Sequence, residues 1–261
     1  MDTAKRGLNY CNLRIIAYIS LLIDHFGALI LDEIPWTTNE AGELLVLVTR
    51  MIGRLAMPIF AFFIAEGMIR TRSRRRYILR LLTLAVITEI PYDLVSCQKP
   101  FAFENQNVIW SLLAGAILII VYDKFKERIG GQRYILGCIA VCILMAGLMY
   151  LMRSEYMFIT PAIVLFSYVF RYDKQKMIRS IMISFVFLYA LEAACSAIEN
   201  SSISVADVAA NVLLEFVGMF GIYLIAEYYN EEKGKAIPRI INYGFFPFQF
   251  IFFYVLKLLI F

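Results

Sequence analysis

The residues best suited to chemistry lie side by side in the apolar segment ISLLIDHFG, at positions 19–27. Asp24 is an acid, and His25 is the only histidine in the chain. An imidazole can take up and return a proton near neutral pH, which suits a general base. Because adjacent residues lie about 100° apart around a helix, Asp24 need not orient His25. We therefore predict that His25 is a base and that Asp24 pairs with Arg50 or Arg54.

These residues occur in a strongly hydrophobic chain. The 261 residues are 61% hydrophobic and 18% charged, and the mean hydropathy of +0.71 lies outside the range typical of soluble proteins. A hydrocarbon core about 30 Å thick needs roughly 20 apolar residues per helix. The sequence predicts an all-α, polytopic membrane bundle that forms one domain, 1–261. About nine runs are long enough to span, at 13–31, 44–68, 79–97, 107–122, 134–152, 156–170, 180–198, 207–228 and 240–260.

Basic residues mark one side of this predicted bundle. Cytoplasmic connections are enriched in Lys and Arg, and here the basic clusters occur on alternate connections. The connections DEIPWTTNEAGE and ENSSISVAD contain neither residue. We expect a cytoplasmic N-terminus and an extracytoplasmic C-terminus. The net charge of +4 then reflects orientation in the lipid bilayer, and we expect no nucleic-acid partner.

Several ionisable residues interrupt the predicted helices. Each costs about 2.5–3.5 kcal/mol on insertion scales, so each indicates a function by default. They are Asp24, His25, Arg50, Arg54, Glu66, Glu89, Asp93, Glu192 and Glu215. Arg50 and Arg54 are four residues apart, as are Glu89 and Asp93, so each pair shares a face if its helix stays regular. Pro58 and Pro91 could interrupt that regularity.

Two interpretations of these residues remain open. Any single carboxylate could belong to a buried ion pair that fixes helix packing, and His25 could be a neutral imidazole bonded to a neighbouring helix. The set as a whole favours a polar cavity. Its predicted members, besides the catalytic residues, are Arg50, Glu66, Glu89, Asp93, Gln106, Asn107 and Gln249. The five cysteines are scattered and odd in number, so we expect no metal.

Five segments occur in an order that is typical of one family. LRIIAYISLLIDHFG, GRLAMPIFAFFIAEGMIRTR, YILRLLTLAVITEIPYDL and QNVIWSLLAG follow one another within residues 12–122, and INYGFFPFQF follows at 241–250. In these segments the chain resembles the TraX family. One departure stands out, because FPFQ places Phe246 and Gln249 where the family commonly has the tyrosine and histidine of YPxH. Gln249 cannot act as a base, but it can donate a hydrogen bond.

The resemblance implies a function as well as a location. TraX proteins are multi-pass proteins of the bacterial cytoplasmic membrane, known for acetylating the N-terminus of conjugative pilin, and they look distantly related to membrane acyltransferases. We therefore expect transfer of an acyl group from cytosolic acetyl-CoA, or another acyl-CoA, to an amine or hydroxyl acceptor on the extracytoplasmic side. The acceptor could be a protein N-terminus, a glycan, a lipid or a small molecule. By its matching motifs, the resemblance implies that Asp24, His25 and Arg54 are catalytic residues. It also points to five substrate-binding or cavity residues: Glu66, Glu89, Asp93, Gln106 and Asn107.

A mechanism follows from this resemblance and the charge distribution. His25 would deprotonate the acceptor while Arg54 or Asn107 stabilises the developing oxyanion. Acetyl-CoA carries phosphate charges, and the cytoplasmic segment IRTRSRRRYILR offers arginines to bind them. The expected phosphate-binding residues are Arg70, Arg72, Arg74, Arg75 and Arg76. Membrane orientation and anionic-lipid contact explain the same arginines equally well.

The main alternative function is a proton-coupled secondary transporter, which would use the buried carboxylates and His25 as a proton relay. A structural membrane protein without chemistry is a third interpretation, but it leaves the cost of the buried charges unexplained. Consumption of acetyl-CoA, as opposed to movement of a solute across a sealed bilayer, distinguishes these functions.

Overall fold

A computed structural model describes residues 7–35, 39–129, 133–154, 156, 159–199 and 212–261. All regular secondary structure in these residues is helical, so the all-α prediction is confirmed for this part of the chain. Residues 212–216 are also helical. The α-helices are α1 (Tyr10–Leu29), α2 (Glu40–Gly53), α3 (Ala56–Arg70), α4 (Arg74–Cys97), α5 (Ile109–Arg128), α6 (Arg133–Met152), α7 (Ile159–Val169), α8 (Lys174–Glu199), α9 (Met219–Tyr228) and α10 (Arg239–Ile260).

Three helical segments within the described residues are long and apolar enough to cross a membrane. They are Tyr10–Glu33, Glu40–Arg70 and Ile240–Ile260. α7, in the sixth predicted run, has 11 residues and is about 16 Å long at 1.5 Å per residue, which is too short to span a bilayer. The segments support a helical membrane protein. The nine spans and the orientation of the termini stay predictions.

Several helices begin with a polar N-cap residue. Its side chain accepts a hydrogen bond from a backbone N–H group of the first turn that has no partner within the helix. Asn9 accepts from the backbone N–H of Asn12 before α1, at 2.9 Å. Asn39 accepts from Gly42 before α2, at 2.8 Å, and Asp173 accepts from Lys176 before α8, at 3.0 Å. Hydrogen bonds from the backbone and the side chain of Lys176 lower the pKa of the Asp173 carboxyl.

The second predicted run is interrupted by a break at Arg54 and Leu55, between α2 and α3. Pro58 explains the position of the break, because a proline ring clashes with the carbonyl of the residue four positions earlier, here Arg54. Pro58 itself lies in the first turn of α3, where its missing N–H costs little. The break follows the Arg50–Arg54 spacing, because the backbone N–H of Arg54, the C-cap of α2, still donates to the carbonyl of Arg50 at 3.1 Å. The two residues therefore share a face, as predicted.

Prolines elsewhere do not end their helices. Pro91 lies inside α4, and Pro247 lies inside α10. α4 therefore continues through Glu89 and Asp93 to Cys97. The helix thus continues through Pro91 and Pro247 but breaks before Pro58, and the sequence does not distinguish the two outcomes.

The chain forms two compact units. Unit 1 contains residues 1–60 and 185–261, and unit 2 contains residues 61–184. The single domain, 1–261, stays a prediction. In unit 2, α5 packs against α7, and Gly115 permits the close approach of Val164.

Two glycines permit the close packing of α1 against α2 in unit 1. A Cβ added at Gly27 would overlap the hydroxyl of Thr49, and one added at Gly53 would overlap the side chain of Asp24. Small residues let membrane helices approach closely, so that polar side chains on one helix reach the other. Gly53 thereby allows Asp24 of α1 to lie against α2.

We expect Gly53→Ala to lower the free energy of unfolding by about 1–3 kcal/mol, because the added methyl group must push Asp24 or the whole of α1 away. Thermal unfolding in detergent measures this loss. The matched control is Gly147→Ala in α6, where nothing lies within 4 Å of the added Cβ. Equal stability of the two variants would show that the α1–α2 contact is not tight.

Candidate active site

Asp24 and His25 are both buried in α1. Asp24 is 6% exposed and His25 is 8% exposed. Oδ2 of Asp24 lies 2.8 Å from Nη1 of Arg50 on α2. The predicted pairing of Asp24 is thus confirmed for Arg50. Oδ1 of Asp24 has no hydrogen bond within the described residues and faces Gly53, where an added Cβ would overlap it.

Arg54 pairs with a carboxylate from the far end of the chain. Its Nε lies 2.7 Å from Oε1 of Glu215, and both side chains are at least 87% buried. The hydroxyl of Tyr189 also hydrogen-bonds to Glu215. Sequence reasoning found Glu215 as a buried acid but did not assign it to the site, and it missed Tyr189. The side chain of Glu192 lies outside the described residues.

The helix break at Arg54 is covered by two glycines near Glu215. A Cβ added at Gly218 would lie 2.9 Å from the carbonyl oxygen of Arg54, and a Cβ added at Gly221 would lie 2.8 Å from the carbonyl oxygen of Leu55. Glu215, Gly218 and Gly221 recur every three residues. The same stretch of chain therefore pairs with the Arg54 side chain and packs against the backbone of the break. No signal in the sequence identifies Glu215 as the partner of Arg54.

His25 lies among aromatic rings of α10. Its ring centroid is 4.8 Å from that of Phe250, and the ring of Phe253 approaches edge-on at 6.3 Å. The side chain of Gln249 hydrogen-bonds to the imidazole and is 1% exposed. Nδ1 of His25 has no hydrogen bond within the described part of the chain.

Unit 1 therefore contains five residues of the predicted site together with Glu215. The five are Asp24, His25, Arg50, Arg54 and Gln249. Arg50 is matched by Asp24, and Arg54 is matched by Glu215. Ion pairing of this kind offsets part of the cost of burying each charge. The cluster combines two neutralised ion pairs with a buried imidazole and a buried carboxamide.

The other predicted cavity residues belong to unit 2, where Glu89 is held by hydrogen-bond donors. Its carboxylate accepts from the Asn107 side-chain amide and from Nε1 of Trp110, the latter at 2.6 Å. The second amide proton of Asn107 goes to the carbonyl of Ala85, at 3.1 Å. Oδ1 of Asn107 accepts from the backbone of Ile109 at the start of α5. Asn107 thus uses both amide protons, so its predicted role as an oxyanion donor does not fit this arrangement.

Asp93 and Gln106 bind the backbone of the connection between α4 and α5. Oδ2 of Asp93 accepts from the N–H of Ala102 at 2.7 Å. Nε2 of Gln106 donates to the carbonyls of Ala102 and Asn105, at 3.2 and 3.1 Å. These bonds fold the connection over the end of α4.

Glu66 binds two arginines in unit 2. Its carboxylate accepts from Nε of Arg70 at 2.8 Å and from Nε of Arg171. Glu66 is 1% exposed, and the Arg171 guanidinium also lies over the ring of Phe62. Sequence analysis did not identify Arg171 as a partner of Glu66.

The predicted phosphate-binding arginines divide into two groups. Arg70 pairs with Glu66, and Arg74 binds Asp123 and the hydroxyl of Tyr168, the latter at 2.8 Å. The side chains of Arg72, Arg75 and Arg76 are exposed, as is that of the ion-paired Arg70.

Comparison with known proteins identifies the family of this chain. The family model described as TraX protein matches residues 11–257, nearly the whole chain. The chain belongs to the TraX family. The resemblance predicted from the sequence motifs is confirmed, and the match extends across the middle of the chain, where the motifs are weak.

A curated relative of this TraX family member is the probable fimbrial assembly protein FimC, serogroup H1, of Dichelobacter nodosus. The two are 28% identical over 116 residues. The matched region covers 42% of this chain and 44% of the relative, so it spans less than half the length of either protein. No solved structure matches the chain significantly.

Proposed function

We propose that this TraX family member is an integral membrane acetyltransferase. It transfers an acetyl or other acyl group from cytosolic acyl-CoA to an amine or hydroxyl acceptor that enters from the extracytoplasmic side. The observation that carries the proposal is the buried His25 imidazole. Its Nδ1 has no hydrogen bond within the described residues, and it lies in an apolar helix long enough to cross a membrane.

In this mechanism His25 removes the proton from the acceptor as the acceptor attacks the thioester carbonyl. The Arg54 guanidinium stabilises the negative charge that develops on the carbonyl oxygen. Glu215 holds Arg54 in place at 2.7 Å. Asp24 takes no part in the proton transfer in this mechanism. Its carboxylate binds Arg50 at 2.8 Å, so Asp24 and Arg50 together position α1 against α2.

The family and the curated relative support a role in the cell envelope. TraX proteins are known for pilin acetylation, and the relative is named a probable fimbrial assembly protein. We propose a surface component of the cell, or its membrane-bound precursor, as the acceptor.

The test uses purified protein in sealed proteoliposomes. An extract of cell-envelope material is enclosed in the vesicles, acetyl-CoA labelled in the acetyl group is added outside, and both released CoA thiol and labelled product are measured. We expect equal amounts of thiol and labelled product. Movement of a solute or of protons across the bilayer, without consumption of acetyl-CoA, would instead support the transporter.

The exposed arginines predict how the acyl donor binds. Acetyl-CoA should stabilise the protein by about 2.7 kcal/mol at a hundredfold excess over its dissociation constant. The triple variant Arg72→Gln/Arg75→Gln/Arg76→Gln should lose most of this thermal protection, because three exposed cations that could bind phosphate are removed.

Arg74→Gln is the matched control for the donor site. Arg74 already binds Asp123 and Tyr168, so this variant should unfold at a lower temperature while the dissociation constant of acetyl-CoA stays within about twofold of wild type. Undiminished protection in the triple variant would leave the exposed arginines with a role in membrane orientation alone.

A further inference from the structure

Three side chains of α10 cover the imidazole of His25. Gln249 hydrogen-bonds to it, the ring centroid of Phe250 lies 4.8 Å away, and Phe253 approaches edge-on at 6.3 Å. His25 is therefore 8% exposed. A general base must come within about 2.6–3.2 Å of the group whose proton it removes. An acceptor therefore needs α1 or α10 to move before it can meet this base.

α1 is held tightly against α2 in unit 1. A Cβ added at Gly27 would lie 2.0 Å from the hydroxyl oxygen of Thr49, so these two helices are in close contact there. Asp24 also binds Arg50 of α2 at 2.8 Å. Separating α1 from α2 would break a partly buried ion pair and leave both charges without a partner, which is costly. The helix that moves is therefore α10.

α10 is packed more lightly than α1. In its most apolar stretch 28% of the residues are buried, compared with 44% in the segment Tyr10–Glu33 that contains α1. Its outer face carries exposed apolar side chains, among them Phe248, Phe252 and Leu259. Elements with few buried contacts open at a lower free energy than the core does. An outward movement of α10 therefore disrupts little packing.

The first half of α10 is anchored to α1. The side-chain oxygen of Asn242 accepts a hydrogen bond from Arg14 and lies 3.4 Å from the hydroxyl of Tyr18. The ring of Phe245 stacks on that of Tyr18 with 4.0 Å between their centroids. These polar and aromatic contacts hold α10 in place as far as residue 245.

Pro247 separates this anchored half from the half that covers His25. It lies inside α10, where it has no N–H to donate to the carbonyl of Tyr243 and its ring crowds that carbonyl. Helices bend at such prolines because the hydrogen-bond ladder is interrupted there. Pro247 therefore provides a hinge about which the second half of α10 can swing.

An ion pair joins the end of α10 to the segment that follows α1. Nζ of Lys257 binds Oε1 of Glu33. The side chain of Lys257 is 11% exposed, whereas that of Glu33 is 43% exposed. Ion pairs that water can reach contribute little stability and weaken as salt is added. This contact can therefore open and close reversibly.

We propose that residues 248–260 of α10 form a gate over His25. The gate bends outward at Pro247 and is closed by the Glu33–Lys257 ion pair, which acts as its latch. When the pair separates, the two rings that cover the imidazole move away, and the acceptor enters from the end of α10 where the latch lies. This inference rests on the proposed function, because the gate gives the acceptor its access to the base.

Chemical modification measures how often the gate opens, because His25 is the only histidine in the chain. Protein with a purification tag that lacks histidine is placed in nanodiscs and treated with diethyl pyrocarbonate. The ultraviolet absorbance of the carbethoxylated imidazole gives the rate of modification. In wild type this rate should be well below that of the unfolded protein, since the gate is mostly closed. A wild-type rate equal to that of the unfolded protein, or no modification until the protein unfolds, would overturn the proposal.

Lys257→Met removes the latch and keeps a side chain of similar length. The rate of modification should rise about two- to fivefold, the factor by which loss of one partly exposed ion pair shifts an opening equilibrium. Lys99→Met, which breaks the exposed Lys99–Glu104 pair of unit 2, is the matched control and should react at the wild-type rate. High salt should raise the rate of wild type but not that of Lys257→Met. Equal rates in all three proteins would refute the latch.

The double variant Glu33→Gln/Lys257→Met separates an open gate from a weakened fold. Lys257→Met leaves the carboxylate of Glu33 without this cation, whereas the double variant removes both charges. A latch predicts fast modification of His25 in both variants. A double variant that reacts at the wild-type rate would show that the isolated carboxylate, and not the missing latch, exposes the imidazole, which would overturn the proposal.

Pro247→Ala tests the hinge. The new N–H can donate to the carbonyl of Tyr243, so the helix should stiffen and His25 should be modified more slowly than in wild type. A rate at or above that of wild type would refute the hinge. These measurements need neither acetyl-CoA nor an acceptor, so a failed gate leaves the proposed acyl transfer intact. Faster modification in Lys257→Met, without release of CoA in the proteoliposome assay, would instead refute the acyl transfer and retain the gate.

Discussion

His25→Phe is expected to lower the rate of acyl transfer by about 10²- to 10⁴-fold, the usual contribution of a positioned general base. The phenyl ring retains the contacts that the imidazole makes with Phe250 and Phe253. It has no nitrogen to accept a proton. The variant should therefore insert into the membrane and unfold close to the wild-type temperature. The rate of CoA release at saturating acetyl-CoA measures the effect.

Alanine is a poorer replacement at this position. His25 is 8% exposed and packs against aromatic rings, so truncation would leave a cavity, and cavities in packed interiors reduce stability. Loss of activity in His25→Ala would then mix misfolding with the loss of a base. His25→Phe avoids this, and thermal protection by acetyl-CoA should be unchanged in the variant.

His25→Gln distinguishes a base from a hydrogen-bonding residue. Glutamine donates and accepts hydrogen bonds but does not take up a proton, so this variant should be as inactive as His25→Phe. Activity in His25→Gln alone would show that His25 only binds the acceptor. Transfer at a near-normal rate in both variants would mean that His25 holds the helices together and does no chemistry.

The sequence was sufficient to predict what depends on composition and local spacing. Hydrophobic runs predicted membrane helices because the bilayer requires about 20 apolar residues in each. The Asp24–Arg50 pair was predictable as one of two alternatives, since the first two helices are consecutive and consecutive elements are usually adjacent in space. The motifs around His25 and Arg54 were sufficient to predict the family.

Tertiary packing decided what the sequence left open. The partner of Arg54 is Glu215, which only the fold brings near the helix break. Asn107 was assigned to chemistry because it lies in the motif QNV, which resembles the TraX family, but its amide protons bind Ala85 and Glu89. Pairing of this kind depends on the angle between helices, which hydrophobic periodicity does not specify.

Arg54→Met is expected to lower the free energy of unfolding by about 3–5 kcal/mol, because it leaves the carboxylate of Glu215 buried without its cation. Arg50→Met is the comparison, since it removes the same guanidinium from the Asp24 pair. The Arg50 side chain is 27% exposed, compared with 10% for Arg54, so water screens the Asp24 pair more and the loss should be smaller. Reversible unfolding in detergent micelles measures both values.

The double variant Arg54→Met/Glu215→Gln separates stability from catalysis. Removing both charges leaves no buried ion unpaired, so the free energy of unfolding should return to within about 1 kcal/mol of wild type. The rate of acyl transfer should stay low, because the cation that stabilises the oxyanion is still absent. A double variant as unstable as Arg54→Met would show that the pair is not the source of the loss. Recovered activity together with recovered stability would mean that Arg54 holds the helix break against Gly218 and Gly221 and takes no part in the reaction.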